Sequence, residues 1–351
     1  MIMLGSNNYL GLTADPRVKE AAIEATEKYG TSCTGSRFLN GTLAIHLELE
    51  EKLAEFNHKE DCICFSTGYQ TNLGTISALV QKGDFVITDK LDHASIIDGA
   101  MLSLGTMKRF IHNDMESLSR VIESLPEDSG KLVVVDGIFS MEGDITPLPD
   151  LVRVCKKYDA RLLVDEAHSV GVMGKNGAGV CEHFGLSSEV DLIMGTFSKS
   201  FASLGGYMAG DKRVITFIRH NARSLIFSAS ITPASTAAAL KSLEIMISEP
   251  ERRERLWKNA RMMLSELPKM GFNIGTSETP VIPLHFGDDM KTIYFWQELH
   301  NAGVFVNPVI PPAVPPSKSL IRTSYMATHT EEELKEALKI FEKVGQRTGV
   351  L

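Results

Sequence analysis

Five cysteines, an odd number, stand in this chain as Cys33, Cys62, Cys64, Cys155 and Cys181, and no two of them make a Cys-x-x-Cys pair. That arrangement excludes a disulfide framework and offers no zinc-ligand spacing, so no metal is expected. Cys62 and Cys64 alternate along a strand-like run and read as small buried residues. No apolar run reaches the roughly 20 residues that a membrane helix needs. The first residues, Met1-Ile-Met-Leu-Gly-Ser-Asn-Asn-Tyr9, show no basic region followed by an apolar core. A cytosolic protein is expected. Basic charge is also scarce: 36 Lys and Arg against 44 Asp and Glu give a net charge of -8. No basic stripe is available for phosphates, which argues against nucleic acid as the main partner. Internal repeats are absent.

With 351 residues, 43% of them hydrophobic and 23% charged, the chain can bury a sizeable core, as two domains or as one large and one small. It begins abruptly, as if within a structured segment, and a leading helix is expected ahead of it. Asp15 and Pro16 open a helix to Tyr29, the aspartate as cap and the proline in the first turn, with Val18, Ala21, Ala22 and Ala25 at helical spacing. The stretch Gly30-Thr-Ser-Cys-Thr-Gly-Ser-Arg-Phe-Leu-Asn-Gly41 is too rich in turn formers for regular structure, and a loop of that length is functional or disordered. An amphipathic helix follows, with Leu43, Leu47, Leu49, Leu53 and Phe56; His46 reads as an ordinary residue of its surface.

Between about residues 61 and 200, β-rich runs alternate with helical segments. Cys62–Phe65, Phe85–Thr88, Leu132–Val135, Leu162–Val164 and Leu192–Met194 are nearly continuous in apolar character, as strands buried on both faces are. This is the pattern of an α/β domain with a mostly parallel sheet. Ligands of such sheets lie beyond the carboxyl ends of the strands. The residues there are Ser66-Thr-Gly-Tyr-Gln70 before a helix beginning near Thr71, then Asp92-His93-Ala-Ser95, Asp136-Gly-Ile-Phe-Ser-Met-Glu-Gly-Asp144 and Asp165-Glu-Ala-His168. Each alone could be a capped turn, but four polar clusters at the strand ends of one sheet converge on one cleft. The first, short of a Walker signature, still offers free helix-start N–H groups beside a glycine, an arrangement suited to phosphate.

Past Tyr207 the texture changes. Thr232 and Pro233 open an Ala-rich helix read as the bridge to a smaller α/β domain with strands at Val281–His285 and Val304–Asn307 and a helix over Thr292–His300. The expected division is therefore an N-terminal segment 1–15, a large domain 16–232, and a bridging helix with a small domain over 233–351. Pro308–Pro316 is proline-dense and extended, in its plainest reading a stiff linker. Leu320-Ile-Arg-Thr-Ser324 reads as a strand carrying Arg322. The last helix has a capping box in Thr330 and Glu333, with Leu334, Leu338, Phe341 and Val344 as its core stripe.

In Asp191-Leu-Ile-Met-Gly-Thr-Phe-Ser-Lys-Ser200 a buried run delivers Lys199 into a turn full of hydroxyls. A desolvated lysine there could lose its proton and attack an aldehyde, while Thr196 and Ser198 anchor the rest of that molecule. A surface lysine is the bland alternative.

The pairing of Asp165-Glu-Ala-His168 with Gly195-Thr-Phe-Ser-Lys199 resembles the α-oxoamine synthases, pyridoxal-phosphate (PLP) enzymes that condense an amino acid with an acyl-CoA and release carbon dioxide. The likeness extends over nearly the whole chain, through Asn7-Asn-Tyr-Leu-Gly11, Asp92-His-Ala-Ser-Ile-Ile-Asp98 and Gly137-Ile-Phe-Ser-Met141 to Arg322. Gly-Thr-Phe-Ser-Lys-Ser, Pro-Pro-Ala-Val-Pro and Met326-Ala-Thr-His-Thr330 are most similar to bacterial serine palmitoyltransferases. The resemblance implies the aspartate aminotransferase-like fold type I, with a smaller C-terminal α/β domain.

It implies also a set of roles. Lys199 would carry the cofactor as an internal aldimine and later remove the α-proton. Asp165 would pair with the pyridine nitrogen, His93 would stack on the ring, and His168 and Ser140 would approach the phenolic oxygen. Gly68, Tyr69, Thr196, Ser198 and, from a second subunit, Ser228 would hold the phosphate; Arg322, with Asn7 or Asn8, would clamp the amino-acid carboxylate. Some bacterial serine palmitoyltransferases have a second arginine where this chain has Ile310. The implied reaction joins L-serine to palmitoyl-CoA in a homodimer with shared sites. The alternatives are 2-amino-3-ketobutyrate ligase or 8-amino-7-oxononanoate synthase activity, an aminotransferase or lyase of the same fold, and a non-catalytic partner, which would lack the lysine. A lipid product would bring the enzyme to a membrane surface, although no amphipathic basic helix marks one.

Overall fold

The apolar runs fold as strands of one seven-stranded sheet, in the spatial order Asp61–Phe65, Gly206–Gly210, Leu192–Thr196, Arg161–Asp165, Lys131–Asp136, Phe85–Asp89 and Thr106–Phe110. Neighbours are parallel except at Gly206–Gly210, which is antiparallel to both of its partners. Ile63, Phe65, Val86, Val134, Leu163, Met194 and Met208 belong to one buried cluster on this sheet. Because the strands are mostly parallel, Phe65, Asp89, Asp136, Asp165 and Thr196 all end on one edge.

The computed structural model describes residues 1–351 and divides into two units. The larger comprises Leu12–Phe139 and Thr146–Glu249, the smaller Met1–Gly11, Ser140–Ile145 and Pro250–Leu351. In the larger unit α1 (Pro16–Tyr29) starts where expected, with Asp15 accepting from Arg17 N. The helix Pro233–Ser248 packs against α1 and stays in this unit, and Arg17 pairs with Glu249 just beyond it. The division therefore falls at Glu249–Pro250, not at Thr232–Pro233.

His46 is not a surface residue. It is fully buried near the start of α2 (Ala44–Phe56), where its Nδ1 accepts from Leu43 N at 3.0 Å and its Nε2 lies 2.9 Å from Ile231 O. Leu43 has no polar side chain with which to cap the helix, and the histidine makes only the reciprocal half of a capping box, by accepting from the Leu43 N–H. The glycine-rich stretch before it is tied down: Arg37 makes a buried two-pronged pair with Glu50 (2.6 and 3.0 Å), and Ser230 N donates to Gly35 O.

The smaller unit has an antiparallel sheet ordered Asn307–Val309, Leu320–Ser324, Val281–His285, and a parallel pair of Ile2–Met3 with Val304–Phe305. Phe272, Phe295 and Phe341 lie in its core, and the capping box of Thr330 and Glu333 opens the helix Glu331–Thr348. The proline-dense stretch is part of this unit rather than a linker. Pro308 stands in register with Ile321, and Val314 is buried with Val309 and Leu320 beside Met141. No helix is long and apolar enough to cross a membrane.

Candidate active site

In the larger unit the strand ends bring one set of expected residues together. Asp165, buried at the end of its strand, accepts from Ala167 N through Oδ1 (2.9 Å) and from Asn72 Nδ2 through Oδ2 (2.7 Å). His93 caps α4 (Ala94–Leu102), and its N–H donates to Asp136 Oδ2 at 2.9 Å. His93 remains solvent-accessible, yet the protein around it displaces enough water to hold the imidazole below its ordinary value; the Asp165 carboxylate opposes this and the Lys199 ammonium reinforces it. Burial, helped by the Asp165 charge, pushes the Asp136 carboxyl well up, while the Lys199 ammonium pulls it back. Lys199 is half-buried in the turn after Leu192–Thr196 and lies close enough to act on both groups. His168 is buried in the turn after Asp165. Glu166, between them, accepts from Val180 N and Cys181 N at 2.8 and 2.7 Å and so ties that turn to the next helix.

The residues expected at the phosphate also assemble here. The helix α3 (Gly68–Leu79) starts three residues before Thr71, because Thr67 Oγ1 accepts from Gln70 N and Thr67 O from Thr71 N. The Gly68 and Tyr69 amides remain as donors facing outward from the helix start. A Cβ on Gly68 would lie 2.7 Å from Thr196 Oγ1, so only glycine lets this turn close on that hydroxyl, which is itself 3.0 Å from Ser198 Oγ. Ser228 Oγ accepts from Gln70 Nε2 of the same chain at 3.1 Å, one residue from Tyr69.

Ser140, Asn7, Asn8 and Arg322 fall in the smaller unit. Arg322 is 5% exposed; its Nε donates to Ser140 O at 2.6 Å, and its buried Nη2 makes no hydrogen bond within the chain. A buried guanidinium N–H left over in this way fits a carboxylate ligand. Tyr9, missed in the sequence, has its buried hydroxyl beside this guanidinium and 3.5 Å from Asn7 Oδ1. Burial pushes its phenol up, with the charge and hydrogen bond of Arg322 acting against that. Asn72, also missed, had one available signal: it stands one helical turn after Gly68.

Residues 1–341 match the family described as aminotransferase class I and II. A serine palmitoyltransferase of Sphingobacterium spiritivorum is 56% identical over 350 residues, covering 100% of this chain and 88% of that protein. An 8-amino-7-oxononanoate synthase of Symbiobacterium thermophilum is 47% identical over 352 residues, covering 100% of this chain and 90% of that one. A solved serine palmitoyltransferase with PLP as internal aldimine superposes with a TM-score of 0.97 at 42% identity, over 100% of this chain and 88% of its own.

Proposed function

The chain belongs to the class I and II aminotransferase family, and from that premise we infer that it is a PLP-dependent acyltransferase joining L-serine to palmitoyl-CoA, with release of CoA and carbon dioxide and formation of 3-ketodihydrosphingosine. The observation that carries this reading is the full-length similarity to a serine palmitoyltransferase at 56% identity. The oxononanoate synthase is more distant at 47%.

Bound PLP supplies an electron sink for negative charge at the amino acid's α-carbon. The chain's own residues do the rest. Lys199 would hold the cofactor through its amine, and its Nζ would be the base for the α-proton. Asp165, fixed through both oxygens, keeps a lone pair for the protonated ring nitrogen. His93, whose imidazole its surroundings hold below the ordinary value, would stack on the ring as a neutral group. The Gly68 and Tyr69 amides and the Thr196 and Ser198 hydroxyls hold the phosphate by hydrogen bonds and the helix dipole, with no cation. His168 and Ser140 serve the phenolic oxygen, and Arg322, with Asn7 or Asn8, orients the substrate through its carboxylate.

The assembly we propose is a homodimer in which Ser228 reaches the partner's phosphate site. Exposed Phe38, Leu39 and Phe227 of the larger unit supply apolar surface for it. Thiol release by the PLP-loaded protein, with serine, glycine and alanine crossed against palmitoyl-, acetyl- and pimeloyl-CoA, tests the reading. Rapid release confined to serine with palmitoyl-CoA is expected. Faster release from glycine with acetyl-CoA, or alanine with pimeloyl-CoA, would replace it with one of the two alternatives.

A further inference from the structure

Behind the residues assigned to the cofactor lies a polar link that the reaction itself does not require. Asn72 is fully buried on α3, and its Nδ2 reaches both Asp165 Oδ2 at 2.7 Å and Ser95 Oγ at 3.0 Å. Ser95, also buried, stands in the first turn of α4, with Oγ 2.8 Å from His93 Nδ1. Its backbone N–H donates to the same nitrogen at 3.2 Å.

Donor arithmetic fixes the direction of every bond. An Asn amide nitrogen has two hydrogens, and here one goes to Asp165 and the other to Ser95. Because His93 Nδ1 already accepts from the Ser95 amide, it is the unprotonated nitrogen, and the Ser95 hydroxyl donates to it as well. The imidazole is thereby held as the Nε2–H tautomer. Turning the Asn72 amide over would set its oxygen against the Asp165 carboxylate. The observed orientation instead leaves Oδ1 buried without a hydrogen bond, which costs the desolvation of that oxygen. The fold accepts that cost to keep two hydrogens on Asp165 and Ser95.

The helices are built to permit the link. A Cβ on Gly99 of α4 would lie 3.1 Å from Asn72 O and 3.2 Å from Ile76 Cβ, so the glycine admits α3 at close range. Gly68, the proposed phosphate donor, and Asn72 are four residues apart on α3, a rise of about 6 Å. One rigid helix thus serves the residues assigned to both ends of the cofactor.

We propose that Asn72 and Ser95 are positioning residues that couple the ring-stacking His93 to the ring-nitrogen partner Asp165, setting the tautomer of the first and the orientation of the second. This rests on the assignment of His93 and Asp165 to PLP made above.

The test uses the purified holoenzyme with Asn72→Ala, Asn72→Asp, Ser95→Ala and Ser95→Thr, read by PLP dissociation constant, visible absorption and its pH titration, and 15N shifts of selectively labelled histidine. Asn72→Ala should weaken PLP binding at least about tenfold, the size of a lost hydrogen bond to a charged group. Asn72→Asp should be worse again, because it sets a second carboxylate against Asp165. Ser95→Ala should move the His93 nitrogens away from the Nε2–H pattern and shift the absorption titration, and Ser95→Thr, which keeps the hydroxyl, should restore both. Equal PLP affinity in the wild type and both Asn72 variants, or an unchanged His93 pattern in Ser95→Ala, would overturn the proposal. A wild-type chain that bound no PLP would instead remove the reading beneath it. Were Asn72→Ala unable to fold, the Ser95 pair would still decide, since it changes a single hydroxyl.

Discussion

Replacing Arg322 removes a group that the smaller unit has buried and left with spare hydrogen-bonding capacity. Its Nε is committed to Ser140 O, whereas Nη2 has no hydrogen bond in the chain. A serine carboxylate bonded there would be one half of a buried charged pair, and removing the other half costs about 3 kcal/mol at the low end of measured cases. At about 1.4 kcal/mol per tenfold, Arg322→Ala should weaken serine binding by about 100- to 200-fold. The alanine also strands the Ser140 carbonyl, so Arg322→Lys is the companion variant. It keeps a charge but loses the planar fork, and a loss of about tenfold is expected. Serine titrations followed through the visible absorption of the bound cofactor give the constants directly. PLP affinity should fall far less than serine affinity in both variants, because Arg322 meets the residues assigned to the cofactor only at the Ser140 carbonyl, not at the hydroxyl assigned to the phenolic oxygen. A serine constant within about threefold of wild type in Arg322→Ala, well under the charged-bond range, would refute the role.

His46 accepts at Nδ1 and faces a carbonyl at Nε2, and burial holds its imidazole below the ordinary value. A histidine depressed in the folded state contributes stability in full above about pH 6.5 and loses it as pH falls below that, by up to about 1.4 kcal/mol per pH unit. Urea midpoints measured from pH 8 to 5 should therefore fall less steeply for His46→Ala than for wild type; equal slopes would contradict this. Arg37→Ala strands the buried Glu50 carboxylate and should cost about 3–5 kcal/mol in urea unfolding, whereas a loss below about 1 kcal/mol would place the pair among surface ion pairs. Gly68→Ala drives a Cβ against Thr196 Oγ1 and should leave the melting temperature near wild type while weakening PLP binding at least about tenfold, an effect of about 1.4 kcal/mol or more. Unchanged PLP binding would show that the turn does not hold the phosphate.

The sheet was legible where burial on both faces forces continuous apolar runs, and its five expected strands formed where those runs lie. Thr106–Phe110 escaped because an edge strand exposes Thr106, Lys108 and Arg109 and so has no apolar run to find. Gly206–Gly210 was not legible as a strand, because its glycines weaken strand propensity. In the fold, the Tyr207 ring fills the space over Gly195, and glycine in one strand makes room for an aromatic in the next. Lys199, Asp165 and Arg322 stood out as polar groups at the ends or within apolar strands. Asn72 and Tyr9 did not, and Ser95 stood out only as part of a strand-end cluster, because nothing in a helix or turn sequence marks which polar side chain will meet another from a distant segment. His46 failed for a related reason: a capping histidine has the same spacing as a surface one.

The most direct measurement of the central claim is the ratio of carbon dioxide to CoA when carboxyl-labelled L-serine and palmitoyl-CoA meet the PLP-loaded enzyme. One of each per molecule of 3-ketodihydrosphingosine is predicted, with neither formed by Lys199→Ala. CoA release without carbon dioxide, or turnover that survives the loss of Lys199, would contradict the account.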